Sequence, residues 1–301
     1  MFGTSIWDDT KREFRSGNVI SQLIIVNVAV FLIINIVYVV VVLIHSDRLI
    51  PEATRTSILS WIALPGGWMP LLERPWTLIT HMFVHFGIFH ILFNMLCLYW
   101  FGRIIQEFIG NKKILPLYIL GGVSGAFLLL LSYTLFPGLS PAPAFGASAG
   151  VLAIIVAAAT LVPDYTIFLL FFGAVRLKYI AFFMIVIDLV SIPGLNSGGH
   201  IAHLGGALFG YIFIKQLQVG HDWSQPFNNF FEAIGNFFRA RRQPRVVHKT
   251  RKEERKKRSS DVSEGKQQQI DAILDKIARS GYDSLTKEEK EFLFKVSKEG
   301  K

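Results

Sequence analysis

The sequence has only one cysteine, Cys97, among 301 residues. This cysteine lies in an apolar run. Since a single cysteine can form neither an internal disulfide framework nor a cluster of thiolate metal ligands, we expect neither. The N-terminal stretch MFGTSIWDDTKREFRSGN is too polar for a secretory signal, and its two aspartates argue against a transit peptide. The first apolar run is too long for a signal-peptide core, so we expect it to remain as a membrane anchor.

Apolar residues are abundant instead: 51% of the chain is hydrophobic, and 26 residues are phenylalanine. Soluble domains rarely have this composition, whereas multi-span membrane proteins do. Since a bilayer core needs roughly 20 apolar residues per helix, we predict an all-α polytopic membrane protein with six spans. The predicted spans are residues 19–44, 79–101, 114–136, 148–162, 179–192 and 199–214, and residues 167–172 could extend the fifth.

Positive charges lie in the loops on one side of this predicted bundle. They are Lys11, Arg12 and Arg15 before the first span, Arg103, Lys112 and Lys113 after the second, and Arg176 and Lys178 after the fourth. The loops 137–144 and 193–197 carry no charge. Basic loops stay on the cytoplasmic side, so both termini are predicted to be cytoplasmic. A bacterial cytoplasmic membrane is the expected location.

The chain divides by composition into a cytosolic segment 1–18, a membrane domain 19–218, a basic linker 219–266 and a small helical hairpin 267–301. Most of the net charge of +9 lies in residues 239–258. This run is typical of a flank that contacts anionic lipid head groups, and no pattern in it indicates nucleic-acid binding. In the hairpin, Gly281 predicts a helix end and Thr286 with Glu289 predicts a capping box.

Polar side chains inside predicted spans are costly unless they face protein or water, so they indicate function. The second span reads HMFVHFGIFHILFN, with His81 and His85 expected on one face and His90 and Asn94 on one face deeper in. Zinc binding by the three histidines is one hypothesis. A carboxylate partner and an HExxH motif are both missing, which favours a structural role for His81 and His85.

Two other spans combine polar residues with small ones. Gly146 and Gly150 flank Ser148 in GASAG, and Gly206 and Gly210 follow His200 and His203 in SGGHIAHLGGALFG. Such spacing lets membrane helices pack closely, which is the plain interpretation of both motifs. If the two small faces meet, Ser148 and one histidine come within hydrogen-bond reach, and a neutral imidazole could take the serine proton.

The ordered motifs over residues 20–215 resemble the rhomboid family of intramembrane serine proteases. The family pattern HxxxHxxxxHxxxN is met by His81, His85, His90 and Asn94, and the acidic residue after it by Glu107. The nucleophile motif is met by Gly146, Ser148 and Ala149, and the closing AHxxGxxxG by Ala202, His203, Gly206 and Gly210. Leu152 and Thr77 depart from the commonest residues at their positions.

This resemblance implies a serine endopeptidase that cleaves in or next to the transmembrane segments of other membrane proteins, without a cofactor or metal. It implies that Ser148 is the nucleophile and His203 the base. An oxyanion hole would be formed by His90, Asn94 and the Ser148 N–H. We expect Asp188, in the fifth span, to serve helix packing or hydrogen bonding in the cavity rather than to act as a third catalytic residue.

Two other functions remain open on the sequence. The first is a non-catalytic member of the same fold that binds membrane clients and tolerates loss of Ser148. The second is a small transporter, in which His81, His85 and Asp188 would form a proton or metal path. No internal repeat, which transporter folds often show, is present in the sequence.

Overall fold

The computed structural model describes residues 17–45, 49–169, 173–194, 196–238 and 267–299. Backbone contacts divide the chain into two compact units, residues 1–238 and 239–301. The predicted segment 1–18 lies almost entirely outside the described residues, and so does the basic run 239–258. The described part is mostly helical, as predicted, and its strands form one short hairpin.

Ten helices are described in the first unit. They are α1 (Val19–Ile44), α2 (Leu49–Ile62), α3 (Trp68–Glu73), α4 (Thr77–Thr80), α5 (Ile88–Ile109), α6 (Ile114–Leu135), α7 (Ser148–Leu161), α8 (Leu177–Ser191), α9 (Ser197–Gln218) and α10 (Ser224–Phe238). Short 3-10 turns cover His81–Phe83 and Asn111–Lys113. Three helical stretches are long and apolar enough to cross a membrane: Val19–Ile44, Ile88–Ile109 and Asn111–Leu135. The shorter helix Ser148–Leu161 is also apolar.

The predicted second span does not begin at residue 79. After the turn His81–Phe83 the backbone is extended at Val84 and Gly87, and α5 starts at Ile88. Two carbonyl groups in this segment have partners in distant parts of the chain: the His81 carbonyl accepts the Gly146 N–H at 2.9 Å, and the His85 carbonyl accepts Asn35 Nδ2 on α1 at 3.1 Å. The prediction that His81 and His85 share a helical face is therefore wrong.

Residues before α8 form strands rather than an extension of the fifth span. Strand β1 (Thr166–Leu169) pairs antiparallel with β2 (Gly173–Arg176), and Thr166 lies opposite Arg176. Asp164 accepts hydrogen bonds from Lys178 Nζ at 2.7 Å and Arg176 Nη1 at 3.2 Å, which closes the base of the hairpin. The hydrogen bond from Lys178, together with its charge, lowers the pKa of Asp164. Basic residues at the start of α8 thus have an acidic partner.

Helix α7 lies at the centre of the first unit. All residues from Ala149 to Ala159 are buried, and α7 packs against α5, α6, α8 and α9. A Cβ added at Gly206 would lie 2.0 Å from the Ala149 carbonyl oxygen, and one added at Gly210 would lie 2.1 Å from that of Ala153. Helices α7 and α9 therefore meet backbone to backbone, as small residues allow.

The small face of α7 that meets α9 differs from the predicted one. We expected Gly146 and Gly150 to face α9, but a Cβ at Gly150 would lie 2.5 Å from the Tyr118 carbonyl oxygen on α6. The backbone carbonyl groups of Ala149 and Ala153 meet α9 instead, and the methyl groups of these residues lie against Gly125 and Gly121 on α6. The reason is helical periodicity, because neighbouring positions point about 100° apart and α7 is enclosed by several helices.

The second unit contains two described helices, α11 (residues 267–280) and α12 (Lys287–Glu299). Gly281 follows α11 with φ of 76°, a conformation that favours glycine. The predicted capping box is present: Glu289 Oε2 accepts the Thr286 N–H at 2.8 Å, and Thr286 Oγ1 accepts the Glu289 N–H at 3.4 Å. Lys276 also donates to both carboxylate oxygens of Glu289 at 2.9 Å, so the two helices are joined.

Candidate active site

Ser148 is the first residue of α7, and the loop before it is held by several hydrogen bonds. The Gly146 N–H donates to the His81 carbonyl at 2.9 Å, and the Ala147 N–H donates to His85 Nε2 at 3.3 Å. Further back, Ala144 pairs with Leu64 in an antiparallel bridge. The His81 backbone carbonyl and the His85 ring therefore hold this loop in place, and the His81 ring itself lies 2.8 Å from the Thr77 carbonyl.

The structure brings Ser148 together with His203, which lies on α9. His203 Nε2 is 2.6 Å from Ser148 Oγ, and His203 Nδ1 is 2.8 Å from Asp188 Oδ1. A carboxylate only accepts hydrogen bonds, so Nδ1 carries the ring proton and Nε2 accepts the serine hydroxyl. This places an unprotonated imidazole nitrogen where a base for Ser148 has to be.

Asp188 is the residue whose position the sequence described least well. We expected packing or hydrogen bonding in the cavity, and the structure shows hydrogen bonding to the very histidine that contacts Ser148. Asp188 Oδ1 also accepts His200 Nδ1 at 2.8 Å. In the sequence, Asp188 stands out as an acidic residue inside an apolar span. Which polar groups Asp188 contacts, however, depends on the turn between α8 and α9. Sequence spacing does not determine that turn.

Within the described residues, one cluster of side chains has the composition and spacing to hold a metal ion. Asp188, His200 and His203 offer ligand atoms that lie within 4.8 Å of one another. Hydrogen bonds already join these atoms. Within the described part of the chain, His81, His85 and His90 do not form such a group, so their arrangement gives no support to the zinc hypothesis.

His90 and Asn94 lie one turn apart on α5, as predicted. A Cβ added at Gly146 would be 2.9 Å from His90 Nε2 and 3.7 Å from Ser148 Oγ, so the His90 ring edge approaches the serine across this glycine. Gly146 has φ of 125°, which other residues rarely adopt. Asn94 is buried and its Nδ2 donates to the His90 carbonyl at 2.8 Å.

These polar groups open onto a cavity of about 740 Å³. Its walls come from α5, α7, α8 and α9, with Leu64 and the loop before Ser148 closing one part. The apolar lining includes Phe89, Phe93, Phe145, Leu152, Phe183 and Ile187. The polar lining includes Ser148, His203, Asp188, His90, Asn94 and Asn196. The cavity is therefore mostly apolar with a polar group at the serine, as a site for an apolar peptide segment requires.

The remaining predicted residues lie elsewhere. Glu107 is exposed near the C-terminal end of α5, thirteen positions and therefore roughly 20 Å along the helix from Asn94. The structure thus does not bring Glu107 to the serine. Gly206 and Gly210 act at the contact between α7 and α9, and touch no reacting atom.

Comparison with known proteins agrees with this geometry. The model of the rhomboid domain matches residues 72–217, which include Ser148, His203, Asp188, His90 and Asn94. The chain belongs to the rhomboid family. A family of unknown function, DUF6576, matches residues 263–299 and so includes the hairpin of the second unit.

Curated relatives of this rhomboid come from plants, animals and bacteria. RHOMBOID-like protein 12, mitochondrial, of Arabidopsis thaliana is 34% identical over 157 residues, covering 48% of this chain and 47% of that protein. Presenilin-associated rhomboid-like protein A, mitochondrial, of Danio rerio is 28% identical over 179 residues, covering 56% and 44%. Rhomboid protease GlpG of Yersinia pestis is 35% identical over 85 residues, covering 28% and 30%. The chain thus spans half or less of the length of these relatives.

Proposed function

We propose that this rhomboid is a serine endopeptidase that cleaves membrane proteins in or next to their transmembrane segments. One observation carries the proposal: Ser148 Oγ lies 2.6 Å from His203 Nε2 at the wall of a large, mostly apolar cavity. A serine becomes a useful nucleophile when a base within this distance takes its proton. The relative from Yersinia pestis is named a rhomboid protease, which supports the same chemistry here.

In the proposed reaction, Ser148 Oγ attacks the carbonyl carbon of the scissile bond as its proton passes to His203 Nε2. Collapse of the tetrahedral intermediate breaks the C–N bond, and the amine leaves with the proton from His203. Water then attacks the acyl carbon and gives one proton to His203. Collapse of this second tetrahedral intermediate breaks the C–O bond to Ser148, Oγ takes the proton back from His203, and the second product leaves as a carboxylic acid. His203 Nε2 is the proton carrier in each step, exchanging the proton with Ser148 Oγ, with the leaving amine and with water.

The negative oxygen of the intermediate needs donors around it. We assign this role to His90, to Asn94 and to the Ser148 N–H, which belongs to the first turn of α7 and so has no acceptor within the helix. An amide Nδ2 carries two hydrogens, so the bond from Asn94 to the His90 carbonyl leaves a second one for the oxyanion. Such a donor contributes roughly 3–4 kcal/mol in serine proteases.

For the membrane arrangement we propose six spans, formed by α1, α5, α6, α7, α8 and α9. The basic residues Arg103, Lys112, Lys113, Arg176 and Lys178, at the ends of these helices, then lie on one side with both termini, which is the cytoplasmic side in a plasma membrane. The comparisons give no support to a bacterial cytoplasmic membrane, because the plant and fish relatives are named mitochondrial. The proposed partners are transmembrane proteins as substrates and anionic lipids at the basic tail.

A test without a known substrate uses a fluorophosphonate probe on purified protein in detergent. Labelling of the wild type that disappears in Ser148→Ala and in His203→Ala, with thermal unfolding unchanged, is the expected result. The alternative is a non-catalytic scaffold for membrane clients. A folded wild type that stays unlabelled with several probes would favour that alternative and contradict the proposal.

A further inference from the structure

One carboxylate joins two histidines beside the serine. Asp188 is only 6% exposed, and its Oδ1 accepts the Nδ1–H groups of His200 and His203, each at 2.8 Å. Helix α8 supplies the acid, and α9 supplies both histidines. The motifs that identify the family contain neither Asp188 nor a function for His200, so this arrangement needs its own explanation.

We propose that Asp188 is a positioning residue for His203, and that His200 in turn fixes Asp188. This inference rests on the function proposed above. It assigns the site a chain of hydrogen bonds, from His200 to Asp188 to His203 to Ser148, in place of a serine–histidine pair acting alone.

Asp188 determines which tautomer His203 adopts. A neutral imidazole carries its proton on Nδ1 or on Nε2, and only the first form leaves Nε2 free to accept the serine proton. The ionised Asp188 carboxylate offers acceptors and no donor, so it stabilises the form with the proton on Nδ1. The hydrogen bond also fixes the ring plane, which keeps Nε2 directed at Ser148 Oγ.

Asp188 also stabilises the positive charge that His203 gains during the proposed reaction. When Nε2 takes the serine proton, His203 becomes a cation inside a mostly apolar cavity. The negative charge of Asp188 is then one hydrogen bond away, and the attraction is strong because the two groups are in direct contact at 2.8 Å and Asp188 is buried. Asp188 therefore favours the protonated state through which the reaction passes, without itself touching the substrate.

His200 holds the carboxylate of Asp188 from the same helix as His203. Asp188 lies on α8, whose other side is exposed at Phe182 and Val190, so the described protein packs against only one side of this helix. His200 and His203 are three residues apart and share a face of α9. Two N–H donors from the same helix hold one oxygen in place. His200 itself makes no hydrogen bond to Ser148 among the described contacts, so it acts through Asp188.

The experiment compares fluorophosphonate labelling rates of the full-length protein. Asp188→Asn keeps the side-chain size and removes the charge; loss of the orienting acid costs up to about 10⁴-fold in serine proteases, and we expect at least about 100-fold here. We expect His200→Ala to slow labelling about 3–10-fold, but to have no further effect in the Asp188→Asn background. Ser124→Ala is the matched control, because Ser124 Oγ donates to the Gly205 carbonyl on α9 and touches neither Asp188 nor His203. It should label within twofold of the wild type.

A second readout separates positioning from stability. In protein labelled with ¹⁵N at the histidine rings, the His203 signals, assigned with His203→Ala, should show the Nδ1–H tautomer in the wild type. They should show a mixture of tautomers in Asp188→Asn. Asp188→Asn that labels at the wild-type rate, or loses labelling only as it unfolds, overturns the inference alone. A folded wild type that never labels overturns the proposed function and this inference with it.

Discussion

Helices α9 and α8 both pack against α7, but in opposite ways. Helix α9 meets α7 through glycines so close that a single added carbon at Gly206 would overlap the Ala149 carbonyl. Helix α8 instead presents large apolar side chains outward, among them Phe182, Phe183 and Val190, each more than half exposed. Ser148 and His203, the proposed catalytic pair, span the tight contact, whereas α8 forms a wall of the cavity.

This difference shows how one fold serves two needs. The distance between a nucleophile and its base has to be kept within tenths of an ångström, which a backbone contact between helices provides. A substrate segment has to reach the same place from the lipid, which requires a wall that moves at low cost. We expect α7 and α9 to stay fixed during the reaction and α8 to give way.

The largest effect is expected when the tight contact is broken. In Gly206→Val the new side chain would start 2.0 Å from the Ala149 oxygen, so the two helices have to separate. Overpacking typically costs about 1–3 kcal/mol, and we expect the upper end here because the clash is with backbone, with loss of labelling and a lower thermal unfolding temperature. Leu208→Val, on the exposed face of the same helix, is the control. Normal unfolding and labelling of Gly206→Val would show that the contact is not tight.

Gly146→Ala should have the next largest effect. Its φ of 125° disfavours any side chain, at about 1–3 kcal/mol. The added carbon would also lie 2.8 Å from His90 Cε1. We expect labelling to fall about 10–100-fold with a smaller loss of stability, measured by labelling rate and thermal unfolding together. If Gly146→Ala is labelled at the wild-type rate, neither the backbone conformation at residue 146 nor the position of the His90 ring affects the reactivity of Ser148.

Replacing a large side chain on α8 with a small one should speed substrate cleavage, whereas the two changes above slow the labelling of the serine. Phe183 lines the cavity and is largely exposed, so Phe183→Ala should ease entry of a transmembrane substrate. We expect a rise of about twofold or more in the cleavage rate in liposomes, with unchanged labelling by the small probe. Phe182→Ala, which changes a neighbour outside the cavity lining, is the control. Equal effects of both variants on both readouts would argue against α8 as the entry wall.

The smallest effect concerns the second unit, far in sequence from the site. Hydrogen bonds from Lys276, then from the Thr286 N–H, lower the pKa of Glu289 below its ordinary value of 4.5. A lowered pKa in the folded state means that this stabilisation is present above pH 4.5 and is lost as the pH falls through the lower, folded value. Hydrogen exchange of residues 267–299 in the full chain should therefore speed up at acid pH beyond the intrinsic rate. Lys276→Ala should reduce this pH dependence, and an unchanged dependence would contradict the assignment.

Much of the site could be predicted from the sequence because its residues carry strong local signals. Polar side chains in apolar runs indicated Ser148, His90, Asn94 and either His200 or His203, and the resemblance to the rhomboid family then selected His203. The first span was predicted with its observed bounds, since a long apolar run defines a helix by itself.

The errors arose where contacts between distant segments decide the outcome. The helix break at residues 84–87 depends on carbonyl groups that pair with Gly146 and Asn35. The orientation of Gly150 depends on which neighbour of α7 lies on each side. The contact between Asp188 and His203 depends on the turn between α8 and α9. Local periodicity contains none of this information.

The most direct test of the central claim is to identify the residue that a fluorophosphonate modifies. After treatment of the wild type, peptide mass spectrometry should locate one adduct, on Ser148, and His203→Ala should carry none although it remains folded. This result would show that the tight contact between α7 and α9 produces an activated serine. An adduct on another residue, or one on Ser148 that forms equally well without His203, would contradict the account.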